Sequence, residues 1–179
     1  GAWRENWLKQ SEDLSSTAWS QPVGVSVGSD GWQTLVKTLG VGSEARSQSL
    51  GDLGDSAGML VELRAGTSAT VSIGIYNGGW GTVGNWTLEI VRGPGAIAFS
   101  TLPVISGLEQ TESTVVRIRR RSMSGTAYAY IYPGNHNSTT IGDSIKLRHL
   151  TVVKGDRYPD CHTPTGAYNE PGRWAANEL

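Results

Sequence analysis

The sequence predicts an all-β fold, an antiparallel β-sandwich of about ten short strands. Apolar and polar residues alternate with a period of two along most of the chain, whereas helical periodicity is nearly absent. Glycine-rich turn signals recur every ~8–12 residues, a spacing typical of sandwiches. A chain of 179 residues fits one such domain and can bury a core without a disulfide.

The strands follow from the alternation, in chain order. We expect them at residues 23–27, 32–39, 45–50, 59–64, 69–76, 86–91, 96–100, 113–121, 126–132 and 144–153. Residues 65–68 (AGTS) have the composition of a hairpin turn, and residues 12–19 support at most a turn or two of helix. Alternation ends after Lys154, so we predict a sandwich over 1–154. The irregular tail at 155–179 then either wraps the domain, leads to a partner or is a loosely ordered terminus.

The composition excludes several classes of protein. Charged residues make up 17% of the chain, against about 25% on average, and there are 24 glycines. Such a polar but weakly charged surface is common in extracellular β-proteins. The single cysteine disfavours a disulfide scaffold or a cysteine-based zinc site. A net charge of −1 and the lack of a ~20-residue apolar run predict neither a nucleic-acid partner nor membrane insertion.

Segments near the two ends of the predicted sandwich resemble one known family. Residues 6–14 (NWLKQSEDL), closed by Ala18-Trp19, resemble the N-L-L-x-x-S-E-D-F-S-N-A-A-W opening of many phage structural proteins, with Trp7 and Leu14 in place of Leu and Phe. Residues 145–153, followed by Lys154-Gly155 and Tyr158-Pro159, resemble its closing strand, although Val153-Lys154 replaces the usual Leu-Glu or Glu-Glu. Residues 45–50 and 60–76 resemble its middle strands. The family is the carbohydrate-binding-module-like jelly-roll domain of bacteriophage tail and virion proteins.

This resemblance implies a location and partners. The chain is expected to be a jelly roll on a virion, in a tail fibre, tailspike or baseplate, as a homo-oligomer in contact with other virion proteins and with a host cell-surface glycan. Some relatives bind a structural calcium near the first strand, which would place Glu12 and Asp13 as metal ligands. The alternative is that these two side chains cap a short helical turn by accepting backbone N–H bonds.

A glycine-rich segment at 76–86 is the first candidate for sugar recognition. Sugars are bound by flat apolar rings that stack on their C–H faces, with amides to pair with hydroxyls. Four glycines would hold Trp80 at a loop tip, beside Tyr76, with Asn77 and Asn85 as hydrogen-bonding groups and Trp86 in the core. Trp80 would then contact a ligand, plug an open end of the sandwich, or pack on a neighbouring subunit.

A row of tyrosines is the second candidate. Tyr128, Tyr130 and Tyr132 share one face of their strand, with Asn135 and His136 at its end. Ala127, Ala129 and Ile131 take the opposite, core-facing side. The row would bind a glycan or pack against another chain. Trp19 and Trp32 are expected in the core.

The strand at 113–121 carries an arginine cluster. Arg117, Arg119 and Arg121 share a face and Arg120 adds to them. They would meet an anionic partner, such as an acidic polysaccharide or lipopolysaccharide phosphate, or form a solvated edge that blocks strand pairing.

Catalysis has little support in the sequence. The three histidines are scattered, no Gly-x-Ser-x-Gly elbow or phosphate-binding loop occurs, and Asp160-Cys161-His162 lies in the tail. We therefore expect a non-catalytic virion module that binds host glycan, or else a purely structural virion component.

Overall fold

A computed structural model describes residues 4–8, 13–16, 18–19, 25–29, 32–40, 44–156 and 168–169, with backbone alone at 4–5, 25–29 and 168–169. The strands are β1 Arg4–Glu5, β2 Val25–Ser29, β3 Gln33–Lys37, β4 Arg46–Asp52, β5 Ser56–Ala65, β6 Val71–Tyr76, β7 Trp86–Arg92, β8 Ala96–Phe99, β9 Pro103–Ser106, β10 Thr114–Arg121, β11 Thr126–Pro133, β12 Ser144–Lys154 and β13 Tyr168–Asn169. A single turn of 3-10 helix, Val83–Asn85, precedes β7.

The strands form two large antiparallel sheets. One has six strands in the order β2-β3-β12-β5-β10-β7, and the other has five in the order β4-β11-β6-β9-β8. From β3 to β12 the chain crosses to the other sheet at every connection except the β8–β9 hairpin. This alternation is the jelly-roll form of the β-sandwich, so the predicted fold class is confirmed.

The inner faces of the sheets make the core, as the alternation predicted. Side chains facing inward are fully buried in the central strands: Ala57, Met59, Val61 and Leu63 from β5, Val71, Ile73 and Ile75 from β6, and Ala127, Ala129 and Ile131 from β11. Burial of apolar surface at about 25 cal/mol per Å² makes these stripes the main stabilising term. They also fix which side chains of each strand face outward.

Two regions differ from the predicted elements. The structure adds β9 after the predicted strand at 96–100, and it forms a hairpin with β8. The sequence pattern does not indicate this strand, because its first residue is Pro103 and proline has no backbone N–H to donate to a neighbouring strand. Residues 13–16 and 18–19 lie in turns, with Ser16 N–H donating to Asp13 O and Trp19 N–H to Ser16 O. The predicted tail at 155–179 lies almost wholly outside the described residues, apart from the pairing of β13 with β1.

The two segments that carry the family resemblance contact each other. Asn6 is buried and fills a bulge in β12, where the register shifts between Arg148 and Thr151. Its Nδ2 donates to Leu150 O (3.3 Å), and its Oδ1 accepts from Val152 N–H (3.0 Å). Leu8, Leu14 and Trp19 follow it into the core, which confirms the expectation for Trp19. The opening segment therefore closes one edge of the sandwich.

We predict that Asn6→Ala lowers the free energy of unfolding by about 2 kcal/mol, because it leaves buried backbone groups of β12 without partners. Urea denaturation measures the change. Asn137→Ala is the matched control: Asn137 is exposed, and its replacement should cost less than about 0.5 kcal/mol. Equal unfolding midpoints for the two variants would show that Asn6 does not hold the bulge.

Candidate functional site

The two predicted glycan candidates meet on the outer side of the five-stranded sheet. Their rings form one continuous surface, here called the aromatic face: Tyr76, Trp80, Tyr128, Tyr130 and Tyr132. Strand register explains the meeting, because β11 pairs with β6 so that Tyr128 lies opposite Tyr76 and Tyr130 opposite Gly74. Sequence alone placed these rings on separate segments.

The geometry of the aromatic face is close-packed. Ring centroids lie 5.1 Å apart for Tyr76 and Trp80, and 5.6 Å apart for Tyr130 with each of those two rings. These pairs are edge-to-face, the arrangement that ring quadrupoles favour. Tyr130 and Tyr132 are instead nearly parallel, at 15° and 5.9 Å. The rings therefore hold one another in fixed orientations.

Burial varies along the row. Tyr128 and Tyr130 are partly exposed, whereas Tyr132 is 7% exposed and packs on Ala45 and Leu102. Burial, together with the neighbouring Tyr130 and Tyr76, raises the pKa of Tyr132 to about 12. The row thus has an open end at Tyr128 and a sheltered end at Tyr132.

The sheltered end continues to the residues predicted there. The His136 ring lies 6.3 Å from that of Tyr132, and its Nδ1 is 3.3 Å from the hydroxyl of Ser72. Burial lowers the pKa of His136. Asn135 is exposed, and its Oδ1 accepts from the N–H of Asn137. His136 therefore extends the line of rings, while Asn135 shapes the following turn.

Trp80 is not held out at a loop tip as the glycines suggested. It is half-buried and lies back on Tyr76 and Tyr130. The cause is a hydrogen bond from Trp86 Nε1 to the Trp80 carbonyl (2.8 Å), which draws the loop down onto the sheet. Trp86 is itself buried against Phe99, as predicted for a core residue. Trp80 still presents part of its indole to solvent.

The side chains of the two asparagines in this loop stabilise its conformation. Asn77 Nδ2 donates to the carbonyls of Ser124 (2.7 Å) and Thr126 (3.0 Å), and its Oδ1 accepts from Ser124 N–H. Asn85 Oδ1 accepts from Thr82 N–H at 2.8 Å. Both amides were expected to face a sugar, but these contacts fix the loop instead. Both amides are therefore engaged in holding the loop.

Arg120 does not join the other arginines of β10. Its side chain points inward with those of Val116 and Ile118, is buried, and lies 5.0 Å over the ring of Trp86. The Arg120 guanidinium packs directly against Gly81 of the loop, where an added Cβ would overlap it. The sequence expectation that Arg120 adds to a surface cluster is wrong, since period-two alternation places it on the opposite face.

Two other arginines, Arg92 and Arg148, lie around one buried carboxylate on the outer side of the six-stranded sheet. Glu62 accepts two hydrogen bonds from Arg148 (2.9 and 3.2 Å) and one from Arg92 (3.4 Å). His149 Nδ1 is 2.9 Å from Glu62 Oε2. Burial alone would raise the pKa of Glu62, but hydrogen bonds from His149, Arg148 and Ser113 outweigh it and hold that pKa well below its usual range.

Trp32 belongs to this outer surface and not to the sandwich core. It is 9% exposed, so the prediction of burial is right, but it is covered by guanidinium groups. Arg148 lies 4.1 Å and Arg64 4.6 Å from its ring centroid. Sequence reasoning missed Glu62 and Arg148. The available signal was a lone acidic residue in the apolar run 59–63, because a carboxylate is buried there only with a partner.

The predicted calcium site falls only partly on the described residues. Glu12 lies outside them. Asp13 is exposed, and its Oδ1 accepts hydrogen bonds from the backbone N–H (3.0 Å) and hydroxyl of Ser15, the capping role that the sequence left as an alternative. In the part of the chain that the structure describes, no three acidic, histidine or cysteine side chains are grouped as metal ligands would be.

No family model matches the chain, and no curated protein is significantly similar to it. Within the described ranges, no helix has the length and hydrophobicity to cross a bilayer.

We predict that Gly81→Ala destabilises the protein by about 1–3 kcal/mol and changes the near-UV circular dichroism of the tryptophans. Gly81 has φ +70°, and an added Cβ would overlap Arg120. Gly79→Ala is the matched control in the same loop: its Cβ meets nothing within 4 Å and its φ is not left-handed. Identical spectra and midpoints for both variants would contradict the packing of the loop on Arg120.

We predict that Glu62→Gln lowers stability at pH 7 by about 2 kcal/mol and flattens the acid limb of the stability profile. The folded-state pKa of Glu62 is depressed, so its contribution is complete above the unfolded value of about 4.3 and is lost as pH falls below it. Urea midpoints from pH 7 to pH 2.5 measure this. Glu89→Gln, at an exposed carboxylate 3.7 Å from Arg117, should follow the wild-type profile. The prediction fails if Glu62→Gln also follows the wild-type profile.

Proposed function

We propose that this protein binds carbohydrate, without cleaving it, through the aromatic face, and that it does so as part of a bacteriophage virion that contacts the host cell surface. The observation that carries the proposal is the convergence of five rings from β6, β11 and the loop after β6 on one side of a sheet. The phage context rests on the resemblance of residues 6–14 and 145–153 to virion jelly rolls.

The chemistry of the aromatic face suits a sugar. Tyrosine and tryptophan offer apolar ring surface for C–H groups together with O–H or N–H donors for hydroxyls. Ser47 and Ser49 lie beside the row, opposite Tyr130 and Tyr128 on β4, and add short hydroxyls. Because the rings pack on each other, little side-chain entropy is lost when a ligand binds.

Binding without cleavage fits the residues of this face. Glycoside hydrolysis uses two carboxyl groups about 5–10 Å apart on either side of the scissile bond. None of the side chains that form the aromatic face is a carboxylate. Homo-oligomeric display on a particle would supply affinity by repetition, because several weak sites on one body bind a polymeric surface with high avidity.

The rival proposal is a structural virion component whose aromatic face packs on a neighbouring subunit. The same rings would then be buried between chains. A map of the assembled particle separates the two functions: glycan recognition requires Trp80 and Tyr130 on the outer rim, and the structural role requires them in a subunit contact.

We predict that Trp80→Ala and Tyr130→Ala each weaken glycan binding at least about tenfold, because each removes a stacking ring. The measurement is binding to an array of bacterial surface glycans, followed by titration of the glycan that the wild type retains. Trp7→Ala is the control, since Trp7 is an exposed indole in the opening segment, away from the tyrosines.

All three variants should unfold cooperatively, which thermal denaturation checks. If the Trp80 and Tyr130 double variant binds with wild-type affinity, the aromatic face is not the binding site. Equal loss in Trp7→Ala would show that the effect is not specific to it.

A further inference from the structure

An amine and a carboxylate are buried together beside the connection between β3 and β4. Lys37 ends β3 and is fully buried, and Glu44, two residues before β4, is 3% exposed. The Lys37 Nζ lies 3.9 Å from Glu44 Oε2. Because β3 belongs to the six-stranded sheet and β4 to the five-stranded sheet, the pair lies where the chain crosses from one sheet to the other.

The alternation of β3 carries Lys37 into the interior. Gln33, Leu35 and Lys37 are the buried positions of this strand, and Leu35 belongs to the core. The Lys37 Nζ donates a hydrogen bond to the backbone carbonyl of Ser138. Desolvation lowers the pKa of Lys37, although the charges of Glu44 and Asp143 act in the opposite direction. Loss of water therefore favours the neutral amine, which is the nucleophilic form of lysine.

Lys37 and Glu44 are poorly arranged as an ion pair. The separation of 3.9 Å is longer than a hydrogen bond, and among the described residues neither carboxylate oxygen of Glu44 has a hydrogen-bond partner. A buried ion pair offsets its loss of water only when its geometry is good and further hydrogen bonds satisfy the remaining polar atoms. An amide bond between the two groups would remove both charges and would keep one N–H for the Ser138 carbonyl.

We propose that the side chains of Lys37 and Glu44 condense into an intramolecular amide bond. Transfer of one proton from the ammonium to the carboxylate gives an amine and a carboxylic acid. The Nζ lone pair then attacks Cδ of Glu44, so that an Nζ–Cδ bond forms and a Cδ–O bond breaks. The oxygen leaves as water with two hydrogens, the amide nitrogen keeps one, and no co-reactant is needed.

The fold supplies the proximity and a proton acceptor for this step. Two groups held side by side react as if in one molecule of fixed geometry, which replaces an activating enzyme. Asp143 lies opposite Lys37, because Lys37 N–H donates to the Asp143 carbonyl (2.8 Å), and its carboxylate accepts from the Ser138 hydroxyl (2.7 Å). This carboxylate can pass the amine proton to the leaving oxygen. The bond would tie β3 to the start of β4 and so link the two sheets, independently of the proposed carbohydrate binding.

Mass spectrometry of the intact, denatured protein tests the bond directly. The mass should fall below that of the sequence by one water molecule in nearly all molecules. An amine-acylating reagent, added in denaturant, should modify Lys146 and Lys154 but not Lys37, whose nitrogen is already an amide. Trypsin should not cut after Lys37, and fragmentation of the resulting peptide 10–46 should give no ions from cleavage between residues 37 and 44.

Lys37→Met should restore the full sequence mass, since it removes the nucleophile and leaves an unbranched apolar side chain in its place. Lys154→Met is the matched control: Lys154 is exposed, so this variant should keep the deficit of one water. If Lys37→Met does not fold, the labelling of Lys37 in the wild type decides the question alone.

Three results would overturn the proposal. The first is a full sequence mass with Lys37 open to acylation, which would leave an ordinary buried ion pair. The second is a water deficit that persists in Lys37→Met, which would place the loss elsewhere, for example in a succinimide at Asp30-Gly31. The third is a cross-linked peptide that joins Lys37 to Asp143, which would show that Glu44 is not the acyl partner.

Discussion

The alternation of β11 is the constraint on which both sides of the five-stranded sheet depend. Ala127, Ala129 and Ile131 are fully buried, so the tyrosines between them must face outward. Because β11 lies between β4 and β6, its outward row falls in the middle of the sheet and beside Tyr76. The same packing that stabilises the fold therefore assembles the aromatic face. A one-residue slip in register would bury the tyrosines and destroy both the core packing and the aromatic face.

The conformation of the glycine-rich loop depends on contacts with buried residues. The buried Trp86 donates its indole N–H to the carbonyl of Trp80, and Arg120 lies against its ring. A loop with many glycines would otherwise sample many conformations. These two contacts, together with the hydrogen bonds of the Asn77 amide, hold the loop in one conformation. Trp80 joins the tyrosines for that reason.

Period-two patterns in the sequence predicted the strands, the buried stripes and the shared face of Tyr128, Tyr130 and Tyr132. They did not predict that Trp80 would lie on those rings, because this depends on a contact between β7 and the preceding loop. Arg120 was assigned to the wrong face, since adjacent residues of a strand point to opposite sides. The Glu62 cluster was missed because its members come from β5, β7 and β12, and only strand order brings them together.

The claim that the aromatic face binds carbohydrate is tested most directly by intermolecular nuclear Overhauser effects between a bound oligosaccharide and the isotope-labelled protein. The account predicts contacts from sugar C–H protons to ring protons of Tyr76, Trp80 and Tyr130. Contacts confined to residues outside this face, with the rings unaffected by saturating ligand, would contradict it.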